Sequence, residues 1–86
     1  MSLYLITCDN PARDYLHLKG FTDRFDALRL ADNSFAIATE LPADEVYRQL
    51  SPALHQDETA YVLSLAEPWI GYGYEAMNDW LHRHLH

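Results

Sequence analysis

The residue best placed to do chemistry is a carboxylate at the end of an apolar run. Ser2-Leu3-Tyr4-Leu5-Ile6-Thr7-Cys8 reads as a central, mostly buried strand, and Asp9-Asn10-Pro11 stops it. A strand that ends in this way delivers one acidic group to the rim of a sheet. Magnesium takes oxygen ligands and often needs only one or two carboxylates, with water and substrate phosphate filling the other positions. One Asp9 per subunit, doubled by a twofold axis, supplies that minimum. The metal would then activate a water and steady the charge on a phosphate. Aspartate is equally a favoured turn and capping residue, so an architectural role for Asp9 is the competing expectation. Asp14 is a second nearby carboxylate that also suits the first turn of a helix.

Other reactive side chains are weaker candidates. Arg13, Lys19 and Arg24 are the basic residues near the first helix, placed to meet phosphates or to form a solvated face with Asp14 and Asp23. Tyr72, Tyr74 and Trp69 lie in the aromatic-glycine segment Trp69-Ile70-Gly71-Tyr72-Gly73-Tyr74. They offer flat surfaces on which unpaired bases stack, or a means of locking a final helix to the sheet. His82 and His86 share a helix face at four-residue spacing, a pattern that can hold a transition metal, at a chain end where exposed histidines are common. His17 and His55 are far apart in sequence, with no Ser or Cys visibly paired to either. Cys8 sits within the strand pattern and reads as a structural thiol.

Composition narrows the classes of function. The 86 residues carry 13 acidic and 6 basic side chains, for a formal charge of −7. That repels nucleic acid at long range and argues against a broad phosphate-gripping surface, although a bound metal reverses the field locally. It suits a more basic protein partner equally well. No apolar run approaches the roughly 20 residues of a membrane span. The N-terminal run lacks the basic flank and length of a signal peptide, so the expectation is a cytoplasmic protein with no membrane association. One cysteine forms no internal disulfide, and no Cys/His spacing resembles a zinc site.

The elements that must position these residues follow from periodicity. Residues 1–86 form one domain, with no linker or repeat. Asp14 to Phe25 reads as a helix with Leu18, Phe21 and Phe25 as its apolar stripe, Tyr15 and Leu16 widening it and Gly20 weakening it. Ala27 to Ala31 and Ser34 to Thr39 read as a hairpin about Asp32-Asn33, two residues that tolerate positive φ. Pro42, Asp44 and Glu45 mark a helix start, with Pro42 suited to the first helical position. Val46, Tyr47, Leu50 and Leu54 form its apolar face, interrupted at Ser51-Pro52. Thr59 to Leu65 is a fourth strand, and Glu75 to Leu85 a last helix. The order β-α-β-β-α-β then α predicts an α+β, ferredoxin-like domain: a four-stranded antiparallel sheet, two helices on one face and an added C-terminal helix. The second sheet face needs a cover, either that last helix or a second copy of the chain.

Tyr4 to Asp9, the hairpin Asp32-Asn33-Ser34-Phe35-Ala36-Ile37, and Trp69 to Tyr74 followed by Trp80-Leu81 resemble a group of small bacterial proteins. These are relatives of the CRISPR-associated adaptation protein that partners the integrase, including homologues outside CRISPR loci, and virulence-associated ribonuclease toxins have similar folds. The resemblance implies a ferredoxin-like homodimer in which Asp9 matches the strand-end aspartate assigned to magnesium-dependent phosphodiester cleavage. Two expectations follow. One is a homodimeric, metal-dependent nuclease acting on RNA or DNA through Asp9, with Arg13, Lys19 and Tyr72 as nucleic-acid contacts. The other is a non-catalytic acidic interaction module, accessory or antitoxin-like, with a basic protein partner.

Overall fold

A computed structural model describes residues 1–85. Its elements are β1 (Ser2–Asp9), a 3-10 turn (Leu16–Leu18) running into α1 (Lys19–Thr22), β2 (Asp26–Ala31), β3 (Ser34–Thr39), α2 (Ala43–Leu50) extended by a 3-10 turn (Ser51–Ala53), β4 (Thr59–Ser64) and α3 (Glu75–His84). The sheet order is β2-β3-β1-β4 and every pairing is antiparallel. This is an α+β architecture compatible with the expected ferredoxin-like fold carrying an extra C-terminal helix.

Alternation along β1 sorts the sheet into two faces. Tyr4, Ile6 and Cys8 point to one side with Phe35 and Ile37 of β3, and Leu18, Phe21, Val46 and Leu50 pack down on them. On the other side the central strand β3 presents small side chains, Ala36 and Ala38 among them. Those small side chains leave room for the indole of Trp80, which is buried against them together with Leu3, Leu28, Leu65 and Leu81. The indole N–H is satisfied by Asp26 Oδ1 at 3.0 Å, at the start of β2. The C-terminal helix is therefore one cover for the second face. It does not reach the β4 edge, where Tyr61 is 63% and Leu63 50% exposed.

The first connection departs from expectation. Its apolar stripe is right, since Leu18 and Phe21 are buried and Phe25 packs beside them. The helix expected over Asp14 to Phe25 is instead a 3-10 turn plus the four residues of α1, and Leu16 points to solvent. The cause lies in Asn10. Its Oδ1 accepts from the Asp14 amide at 3.2 Å and its Nδ2 donates to the Asp14 carbonyl at 2.8 Å. The amide of Leu18, which would complete an α-helical bond to that carbonyl, donates to Tyr15 O instead. Tight bonds from Arg24 to Phe21 and from Phe25 to Thr22 then close the far end, beyond Gly20.

Smaller features also differ from expectation. Pro42 is the residue that caps α2 (ψ 161°) and lies outside its first turn, and Tyr47 is exposed beside the buried Val46 and Leu50. The Asp32-Asn33 hairpin does not use positive φ, which Arg13 alone adopts among the described residues. A register shift between Arg29 and Ala31 accompanies the hairpin, the kind of bulge that adds local twist to a strand pair. Asn33 also ties this turn to β1: its carbonyl accepts from the Cys8 amide at 2.9 Å and its Nδ2 donates to the Cys8 carbonyl at 3.0 Å. Neither Gly71 nor Gly73 takes positive φ.

Candidate functional site

The rim where β1 ends and β4 begins collects most of the chain's polar chemistry. Asp9 pairs with Thr59 in the β1–β4 ladder, which sets Asn10 and Glu58 side by side just beyond it. Asn10 is a buried polar residue, 3% exposed, and beyond its two bonds to Asp14 its Nδ2 donates to Glu58 Oε2 at 2.9 Å. Glu58 has a side chain with no exposed surface. Its other oxygen, Oε1, lies 2.7 Å from His17 Nε2 and accepts from the His55 amide at 3.1 Å. The Glu58 amide returns a bond to the His55 carbonyl, so His55 to Glu58 is a closed turn.

Electrostatics follow from that geometry. Burial raises the cost of ionising Glu58, but the bonds from Asn10, His17 and the His55 amide outweigh it and hold the carboxyl below its usual range. Burial, and then the Glu58 charge, push the Cys8 thiol up to about 11. Cys8 is thus a protonated, buried thiol, in keeping with a structural role.

The imidazoles of His17 and His55 stack, with ring centroids 3.9 Å apart and planes inclined by 23°. With Glu58 they form a group whose donor atoms all lie within 4.8 Å of one another. His17 and Glu58 are half-buried residues and His55 is exposed. Two separations of 38 and 41 residues in the chain hide this group from any local spacing rule. The available signals were the amide side chain in Asp9-Asn10-Pro11, which organises the rim, and the polar turn before β4, which supplies two of the three donors.

The structure places Asp9 at this rim, exposed, with its Oδ1 accepting from the Tyr15 hydroxyl at 3.1 Å. Partial desolvation and the neighbouring Asp9 carboxylate raise the Tyr15 phenol, which therefore stays protonated as a donor. Asp14 faces inward through its backbone, and its Oδ1 accepts from the Leu16 amide. Arg13 is exposed, with a left-handed φ of 53°, and its amide closes the turn onto Asn10 O. Lys19 is exposed and paired with Asp23 at 3.0 Å. It edges a hollow of about 360 Å³ with Tyr15, Thr22 and Arg29, on the same sheet face as Phe35.

Tyr72 is elsewhere. It is fully exposed and lines an apolar groove of about 320 Å³ with Leu5, Leu30, Trp69 and Ile70, on the sheet face that carries α3. Arg13, Lys19 and Tyr72 are therefore not gathered on one surface. The aromatic segment divides its roles: Trp69 packs edge-on to His82 at 5.0 Å, while Ile70, Tyr72 and Tyr74 face solvent. At the chain end His84 has the acidic partner that the sequence does not reveal, Asp26 Oδ2 at 2.9 Å, and stacks on Trp80. The His82–His86 pairing lies outside the described residues. No described helix is long and apolar enough to cross a membrane.

Comparison of the chain with family models, with curated proteins and with solved structures finds no match.

Proposed function

We propose that this protein is an acidic protein-interaction module that works as a homodimer, using the apolar side of its sheet that α3 leaves open. One observation carries the reading. Ile70 and Tyr72, exposed in the segment before α3, line a groove with Leu5 and Leu30, and Leu63, paired with Leu5, stands exposed with Tyr61 on the same sheet face. Side chains of this kind, brought together on one face of a small domain, mark an interaction surface. The net charge of −7 leaves the remaining surface suited to a basic partner. The sequence also resembles a family that is usually homodimeric, which supports the dimer alone.

The test is sedimentation equilibrium on the wild type and on a Leu63→Lys, Tyr72→Lys double variant, with circular dichroism as the folding control. Both positions are exposed, so the variant is expected to fold. The expected result is a wild-type dimer and a monomeric variant. A wild type that stays monomeric at high protein concentration overturns the homodimer.

A second reading is favoured by the exposed Asp9 carboxylate at the end of β1. In it the protein is a dimeric, magnesium-dependent phosphodiesterase that brings two Asp9 side chains to one ion. It predicts cleavage of RNA or DNA with Mg²⁺ or Mn²⁺ that Asp9→Ala abolishes. No cleavage by the wild type with either metal, or full cleavage by Asp9→Ala, removes it.

A further inference from the structure

We propose that His17, His55 and Glu58 form a binding site for a divalent transition-metal ion of the zinc class, at the rim of the sheet where β1 ends and β4 begins. The inference is independent of the interaction reading, since none of these residues lines the apolar groove.

The donor set selects the class of ion. Two imidazoles and one carboxylate suit zinc and its neighbours, whereas magnesium takes oxygen ligands. Zinc bonds of about 2.0–2.2 Å place tetrahedral donors roughly 3.3–3.6 Å apart. The observed donors bracket that spacing: His17 Nε2 and Glu58 Oε1 are 2.7 Å apart, and the whole set lies within 4.8 Å. A modest opening of the His17–Glu58 pair and a tilt of the stacked rings admits the ion.

The surroundings favour it as well. The Asn10 amide fixes the free oxygen of Glu58, the kind of outer hydrogen bond that orients a ligating carboxylate. The Glu58 side chain is covered while His55 is exposed, so an ion would approach from the His55 side, where water could complete its coordination. The Nδ1 of His17 is buried and finds no hydrogen-bond partner, so the ring is held by its bond to Glu58 and its stacking on His55, neither of which fixes the second nitrogen. The net negative charge raises the local concentration of cations.

The test is calorimetric titration of Zn²⁺ into the full chain carrying His82→Ala and His86→Ala, which removes the two histidines at four-residue spacing as competing ligands and leaves His84 bonded to Asp26 and to the Trp80 carbonyl. In that background the expected result is one ion per chain, with the ring signals of His17 and His55 shifting together in the NMR spectrum. Adding His55→Ala is expected to weaken binding at least tenfold. That residue is exposed, so the variant keeps its fold, and circular dichroism checks this. Glu58→Gln is the second variant, expected to weaken binding similarly. Absence of saturable binding in the background protein, or unchanged affinity in folded His55→Ala, overturns the site.

Discussion

Asn10 does more for this structure than its neighbour Asp9. A single amide side chain satisfies both backbone groups of Asp14 and one oxygen of Glu58. Removing it takes a partner from one oxygen of Glu58 and from both backbone groups of Asp14, and a buried group left unpaired costs about 1–3 kcal/mol. Asn10→Ala is therefore expected to lower the unfolding free energy by at least about 2 kcal/mol, measured by urea denaturation. Asn10→Asp is expected to be worse near neutral pH than in mild acid, because it sets a second carboxylate against Glu58. Asp9→Ala, by contrast, loses one exposed hydrogen bond to Tyr15 and is expected to leave stability nearly unchanged. That makes Asp9→Ala a clean probe of activity, since a loss of cleavage in it would not reflect unfolding.

Among the elements, α3 decides how the second sheet face is used. Ala36 and Ala38 form a shallow floor, Trp80 fills it, and Asp26 receives the indole N–H. Trp80→Ala is expected to cost about 3–5 kcal/mol by emptying that site. Trp80→Phe keeps most of the packing and loses the bond to Asp26, roughly 1 kcal/mol. The same bond, opposed by slight desolvation and helped by His84 and Arg83, holds the Asp26 carboxyl below its usual range. A depressed carboxylate contributes stability that is present above its unfolded pKa of about 3.9 and is lost as pH falls through the lower folded value. The denaturation midpoint of Trp80→Phe is accordingly expected to fall less steeply with acid below pH 4 than that of the wild type.

For the molecule as a whole, charge and apolar surface act on association with opposite signs. Two copies, each at −7, repel one another, and salt screens that repulsion with a Debye length of about 8 Å at 0.15 M. Homodimerisation through the apolar face is thus expected to tighten as salt rises from a few millimolar to physiological strength, measured by sedimentation. Binding to a basic partner is expected to weaken over the same range. The two salt slopes separate self-association from partner capture in one set of measurements.

Local pattern alone was enough for the strands, the hairpin position, the apolar stripe of the first connection and the C-terminal helix. Period-two and period-3.6 burial, and the turn residues between, are properties of neighbouring positions. The length of α1 was not legible, because it depends on an amide side chain outcompeting a helical hydrogen bond for the carbonyl of Asp14. The choice of cover for the second face was open for a similar reason: it turns on whether an indole fits over two alanines 42 and 44 residues away. His17, His55 and Glu58 meet only because antiparallel pairing of β1 with β4 returns the chain to its own first turn. Adjacency in sequence encodes elements; closure of the sheet, which brings distant termini of those elements to one rim, creates the site.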